Sequence, residues 1–207
     1  MLNRITRLDE DEPEKNGETD KEKVRDKTPA IEERLFKART ILIFGGIDQK
    51  LAKEVSARLL ALQSASDDPV TIYINSQGGH VESGDTIYDM IKFVKPDVRV
   101  VGTGWVASAG ALIFSAAKKE NRFSLPNTRF LLHQPSGGAG GTASDVAIQA
   151  KEIIRMRKRL NEIFARETGQ PIERIEKDTD RDYWMSAEQA VEYGLVGKVV
   201  QNAREIE

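Results

Sequence analysis

From residue 40 onward, apolar and polar positions alternate between two periods. Continuous apolar runs of five or six residues recur at T-I-L-I-F (40–44), V-T-I-Y-I-N (70–75) and V-R-V-V-G (98–102), the pattern of buried strands. Between them the spacing changes to three and four, which predicts helices to about residue 64, over about 82–94, and from near Ser108. Asp48 stands where an N-cap is needed for the first of these, and Pro96 closes the second. Two short strands are predicted at F-S-L (123–125) and T-R-F-L-L (128–132), separated by Pro126-Asn127. The longest helical pattern covers about 143–168 and stops at Gly169, with Val146, Ile153, Met156, Leu160 and Ile163 forming one buried stripe. So long a helix must project in part from so small a body, a hint of subunit contact. Strand and helix in alternation predict an α/β protein with a parallel sheet covered by helices.

The first residues break this pattern. Asp9 to Lys27 contain nine acidic and five basic residues with Val24 as the one aliphatic, so they carry −4 of a net charge of −2. Such a segment buries too little apolar surface to offset its ordering entropy. Residues 1–29 are therefore read as a charged, disordered tail, with Leu2, Ile5 and Leu8 at helical spacing as its one apolar feature. The main folded domain is expected over 30–201, and 202–207 as a C-terminal tail.

The length of 207 residues fits one main domain, and 39% apolar with 31% charged residues is ordinary for a soluble protein. Cysteine is absent, which excludes a disulfide framework and a thiolate nucleophile. Near-neutral charge gives no argument for nucleic acid, and neither a signal peptide nor a membrane-spanning run is seen. A cytoplasmic location is the expectation.

Three stretches carry chemistry: W-V-A-S-A-G around Ser108, L-L-H-Q-P around His133 and D-T-D-R-D-Y-W around Asp182. A serine hydroxyl needs an imidazole to take its proton and a carboxylate to hold that imidazole's tautomer, and these stretches supply all three. The order Ser, His, Asp differs from the chymotrypsin, subtilisin and α/β-hydrolase orders, and Val106 occupies the first glycine position of a G-x-S-x-G elbow. Read alone, Ser108 could equally be a helix cap, His133 a structural histidine, and Asp178, Asp180 and Asp182 a solvated loop. Gly78-Gly79 lacks the lysine and spacing of a phosphate loop, and no metal-ligand spacing is present.

The stretches I-N-S-Q-G-G (74–79), A-S-A-G-A (107–111), H-Q-P (133–135), T-A-S-D (142–145), D-T-D-R-D (178–182) and M-S-A-E-Q-A-V-E-Y-G-L-V (185–196) together resemble the proteolytic subunit of the Clp protease family, ClpP. The resemblance implies a ClpP/crotonase fold of repeated ββα units with a projecting strand-helix handle. It implies a Ser108–His133–Asp182 triad, an oxyanion hole from the N–H groups of Gly79 and Ala109, and peptide binding along Gln134, Pro135, Gly137 and Gly138. Asp180 and Arg181 are implied in contacts between two stacked heptameric rings. No cofactor is implied for this chain, since ATP is used by a partner Clp ATPase that feeds unfolded polypeptide into the chamber. Three features depart from the family pattern: Gln77 where Pro is usual, Trp105 where Gln is usual, and the N-terminal sequence. His80 stands at a position the family usually fills with an aliphatic residue and is read as non-catalytic. These departures raise one alternative, a non-catalytic subunit that assembles with an active ClpP paralogue, and the shared fold and oxyanion-hole logic raise another, a crotonase-type acyl-CoA enzyme.

Overall fold

The computed structural model describes residues 28–138 and 140–206, so the charged segment 1–27 lies outside the described residues. Helix α1 (Thr28–Lys37) opens the fold, beginning two residues inside the expected tail. It is followed by β1 (Thr40–Ile47), α2 (Gln49–Ala65), β2 (Val70–Gly79), α3 (Val81–Phe93), β3 (Val98–Ala107) and α4 (Ala109–Phe114). The second half holds β4 (Arg122–Ser124), β5 (Arg129–Leu132), α5 (Ala143–Thr168), α6 (Ile172–Asp178), β6 (Tyr183–Ser186), α7 (Ala187–Tyr193) and β7 (Lys198–Val199).

Seven strands form one sheet in the order β1-β2-β3-β4-β7, with β5 beside β3 and β6 beyond β5. Every pairing is parallel except β5 with β6. The two short strands expected near 123 and 130 do not pair with each other. They lie along different halves of β3: Val100–Gly102 take β4, and Trp105–Ala107 take β5. Buried Ile43, Ile72, Ile74 and Val100 supply the strands' share of the core, whereas Leu42 and Phe44 of β1 are exposed, so its unbroken apolar run does not reflect burial of both faces within this chain. On α2, buried Ala52, Val55, Leu59 and Leu62 keep the three-and-four spacing, and the Asp48 carboxylate accepts from Leu51 N at 2.8 Å, a cap worth about 1 kcal/mol.

Helix α5 has the predicted bounds, but its stripe is buried only at the C-terminal end. Leu160 and Ile163 are in the core, Ile153 and Met156 are half-buried, and Val146 is exposed. The N-terminal half leaves the body of the molecule, with Ile148 and Ile154 also exposed. Residues 133–138 and 140–142 ahead of it form no strand within this chain, so only the helical half of the handle is built from this copy's own hydrogen bonds. At the other end, residues 202–206 are not loose. Glu205 accepts from the N–H groups of Gln201 and Asn202, and Ile206 packs on the Val101, Phe123 and Val200 cluster.

Where α5 re-enters the core, Arg122 is almost completely buried and donates to Ala117 O (2.7 Å), Glu167 O (2.7 Å) and Glu167 Oε2 (2.8 Å). The Tyr88 hydroxyl donates to Glu167 Oε1 at 2.6 Å, and Lys92 Nζ lies 3.0 Å from the same oxygen. The cluster joins α3, β4 and α5. Burial alone would raise the Glu167 carboxyl, but hydrogen bonds from Tyr88 and Lys92 and the charges of Lys92 and Arg122 hold it below the usual carboxylate range. Replacing Glu167 by Gln strands the Arg122 guanidinium and should cost about 3–5 kcal/mol of unfolding free energy at pH 7. Because the folded carboxyl is depressed, this contribution is complete above the unfolded value of about 4.3. It is lost as pH falls through the lower folded value. Denaturant titrations of wild type and Glu167→Gln should therefore differ most at neutral pH and converge in acid.

Candidate active site

Strand β3 ends at Ala107, and the chain turns sharply at Ser108, whose φ of 56° and ψ of −123° place a non-glycine residue in a region rarely occupied. Such a conformation costs about 1–3 kcal/mol and persists only where the surroundings enforce it. Here they do: Ser108 N–H donates to Leu131 O at 3.0 Å, Ser108 O accepts from Leu112 N at 3.1 Å, and Ala107 and Ala109 are buried on either side. The turn leaves the hydroxyl at the head of α4, where it makes no capping bond.

Space for this turn depends on Gly78. A Cβ there would lie 2.6 Å from Ser108 Cβ and 2.9 Å from Ala107 O, and its φ of 97° is one that glycine adopts without strain. The Gly78 N–H is already bonded to Ser76 Oγ at 3.0 Å. Gly79 follows with φ 151° and lies against β1, since a Cβ on it would meet Ile47 O at 2.3 Å.

His133 and Asp182 are brought together by sheet register. The antiparallel pairing of β5 with β6 ends at Leu132↔Tyr183, so the next residue on one strand faces the preceding residue on the other. His133 Nδ1 lies 2.9 Å from Asp182 Oδ1, with the His133 side chain 28% exposed and that of Asp182 64% exposed. This bond leaves Nε2 as the ring nitrogen free for proton transfer. Ser108 and His133 line one small cavity with Val81, Ala109, Leu112, Pro135, Leu160 and Phe164. No hydrogen bond joins the Ser108 hydroxyl to the imidazole in this conformation.

Beside that cavity runs a groove of about 400 Å³ between the Gly79–Glu82 edge and α5, with Pro135, Gly137 and Gly138 on one wall and Ile148, Ile153 and Met156 on another. Gln134, expected with them, turns away. Its N–H donates to Thr179 O and its Nε2 to Asp180 O, each at 2.6 Å, so it braces the segment that carries Asp182. Asp180 also pairs with Arg157 at 3.2 Å, and Arg181 extends into solvent with 85% of its side chain exposed. His80 bonds Ser83 Oγ through Nδ1 at 2.9 Å and faces Glu82 through Nε2 at 3.3 Å, on the groove rim and apart from Ser108. Sequence reading missed the buried Ser76 and Thr179, whose hydroxyls fix the backbone on either side of the site; their only signal was membership of the I-N-S and D-T-D stretches. Among the described residues, no group of three His, Asp or Glu side chains is placed to hold a metal ion, and no helix is long and apolar enough to cross a membrane.

A serine on a strained turn, an imidazole sharing its cavity and a carboxylate on that imidazole are the parts of an acyl-transfer site, and comparison with known proteins points the same way. The family model described as Clp protease matches residues 22–203. The ATP-dependent Clp protease proteolytic subunit 3 of Rhizobium etli is 62% identical over 175 residues, covering 84% of this chain and 90% of that protein. The corresponding subunit 2 of Gluconobacter oxydans is 56% identical over 207 residues, covering 97% and 92%. Among solved structures, ClpP1 from Listeria monocytogenes is 57% identical, covers 86% of this chain and 99% of its own, and superposes with a TM-score of 0.78. With a matched fold, a match over most of the sequence and a site of serine-peptidase character, the chain belongs to the Clp protease family.

Proposed function

We propose that this chain is the serine endopeptidase subunit of a Clp-type protease, with Ser108 as nucleophile, His133 as general base and acid, and Asp182 as the residue that orients the imidazole. The observation that carries the assignment is the 2.9 Å His133–Asp182 bond beside the cavity that His133 shares with Ser108. Ser108 Oγ attacks the peptide carbonyl carbon while its proton moves to His133 Nε2, and Asp182 stabilises the resulting imidazolium. The tetrahedral oxyanion is held by the N–H groups of Gly79 and Ala109. Gly78 supports this reading, because its bare Cα lets the Gly78-Gly79 backbone approach Ser108 and the Ala109 N–H closely. The C–N bond then breaks, and His133 gives its proton to the departing amine. Water, deprotonated by His133, splits the Ser108 ester to release the acid and restore the enzyme.

Substrate chemistry follows from the groove. An extended peptide lying between the Gly79–Val81 edge and Gly137–Gly138 would gain main-chain hydrogen bonds from residues that form no strand within this chain. Its apolar walls favour apolar side chains near the cleaved bond. The exposed apolar residues of α5 and the solvent-facing Arg181, which pairs with its neighbour Asp180, suit contacts with other copies, which supports assembly of stacked heptameric rings that work with a Clp ATPase in the cytoplasm. ATP and any other cofactor are assigned to that partner. The reading as a non-catalytic paralogue is not favoured, since all three triad residues are retained and the relatives are named proteolytic subunits.

The open Ser108–His133 contact is expected to close on substrate, as catalytic hydrogen bonds often do. A fluorophosphonate probe should label the assembled protein at Ser108, and Ser108→Ala should lose both labelling and hydrolysis of a fluorogenic peptide; labelling that survives the substitution would refute the assignment. Asp182→Asn should lower kcat by about 10²- to 10⁴-fold, the upper figure being that for a fully buried triad acid. Gly78→Ala should abolish hydrolysis through displacement of Ser108, while ring mass, read by light scattering, is retained.

A further inference from the structure

Two residues beneath the glycine pair have no part in the steps above, yet both reach across to β1 at the same point. Strand β1 is irregular there: its register against β2 shifts between Phe44 and Gly46, and resumes as Gly46↔Gly78 and Ile47↔Gly79. The Ser76 side chain is fully buried, and its hydroxyl donates to Gly45 O at 2.6 Å while accepting from Gly78 N at 3.0 Å. Gln77 is exposed, and the polarity of its neighbours sets its amide so that the nitrogen donates to Gly45 O at 3.3 Å and the oxygen accepts from Gly46 N at 3.2 Å. Both lone pairs of the Gly45 carbonyl are thus engaged, one by each residue.

We propose that Ser76 and Gln77 are positioning residues that clamp the bulge of β1 against β2 and so set the orientation of the Gly79 N–H toward the reacting carbonyl. This rests on the oxyanion-hole reading given above. The Ser76 hydroxyl consumes the Gly78 N–H, which leaves Gly79 to supply the donor from this pair. Gly79 has no slack of its own, since any Cβ there would strike Ile47 O. Its N–H therefore points wherever residues 45–47 hold it. Where the family pattern has proline, a residue without a side-chain donor, this chain has an amide that holds the same β1 segment from outside, and Ser76 holds it from within. A displacement of 1 Å in such a group can cost about 100-fold in rate.

The test compares wild type, Ser76→Ala, Gln77→Ala and Gln77→Glu as assembled rings. The glutamate keeps size but cannot donate to Gly45 O. Two quantities are read: the kcat and KM of a fluorogenic peptide, and the affinity of the matching peptide boronate, whose adduct with Ser108 presents an oxygen to the oxyanion hole. Ser76→Ala should lower kcat by about 10- to 100-fold and both Gln77 variants by about 3- to 10-fold, with KM within threefold of wild type. Boronate affinity should fall in parallel, while affinity for the product peptide stays unchanged. Native kcat and boronate affinity in the variants would overturn the clamp, as would a change confined to KM, which would make these residues part of the groove wall. Should Ser76→Ala fail to assemble, the exposed Gln77 variants decide alone. A wild-type ring that hydrolyses peptide yet binds the boronate no more tightly than the product peptide would instead sink the oxyanion reading itself.

Discussion

Everything at this site depends on where β3 stops. Its last residues are held on both sides, Val106 by Ser76 of β2 and Ala107 by Leu131 of β5, and the bond from Ser108 N–H to Leu131 O carries the ladder one residue further. Two residues beyond Ser76 is Gly78, and two beyond Leu131 is His133. A single strand end therefore places Ser108 between the glycine pair and the imidazole. Backbone hydrogen bonds fix where these segments lie, and two side-chain contacts, Ser76 with the Gly78 N–H and Asp182 with His133, add to them.

The strain at Ser108 is tolerable only because α4 has nowhere else to go. All six of its residues are buried, with Leu112, Ile113 and Phe114 among the most enclosed side chains of the core and Phe114 set edge-on to Phe130 of β5 at 5.2 Å. Each large apolar side chain so enclosed contributes about 1.5–3 kcal/mol, enough in sum to hold one unfavourable φ. The small residues flanking Ser108 have a second purpose. Gly110 packs against Ser76, where a Cβ would come within 3.2 Å of the Ser76 side chain, so the helix that follows Ser108 and the end of β2 that carries the glycines share one contact surface.

The parallel half of the fold was legible because its strands read as apolar runs of the right length, although β1 buries one face only and leaves Leu42 and Phe44 exposed. The bounds of α5 were legible too, from Thr142 at its capping box to Gly169, since caps are local. Burial along that helix was not. A three-and-four stripe says that one face avoids water but not what covers it, and Val146 keeps the stripe while lying outside this chain's own core. The candidate triad of Ser108, His133 and Asp182 was proposed through motif resemblance. Its geometry could not have been read from spacing, because Y-W-M-S gives no clear strand signal and the antiparallel turn of β6 onto β5 is a tertiary choice. Gln134 shows the same limit: beside His133 in sequence, it turns toward Thr179 and Asp180.

Stability and chemistry are kept in separate parts of the molecule. The Arg122–Glu167 cluster is buried, charged and fully partnered, so its loss is felt as unfolding. The His133–Asp182 hydrogen bond is the reverse case: most of the Asp182 side chain lies in water, so the contact adds little to stability. Its value lies in direction, holding one tautomer and one ring plane toward Ser108. On the function proposed above, a peptide laid along the groove past Pro135 and Gly137 reaches the cavity that Ser108 and His133 line and excludes water from it.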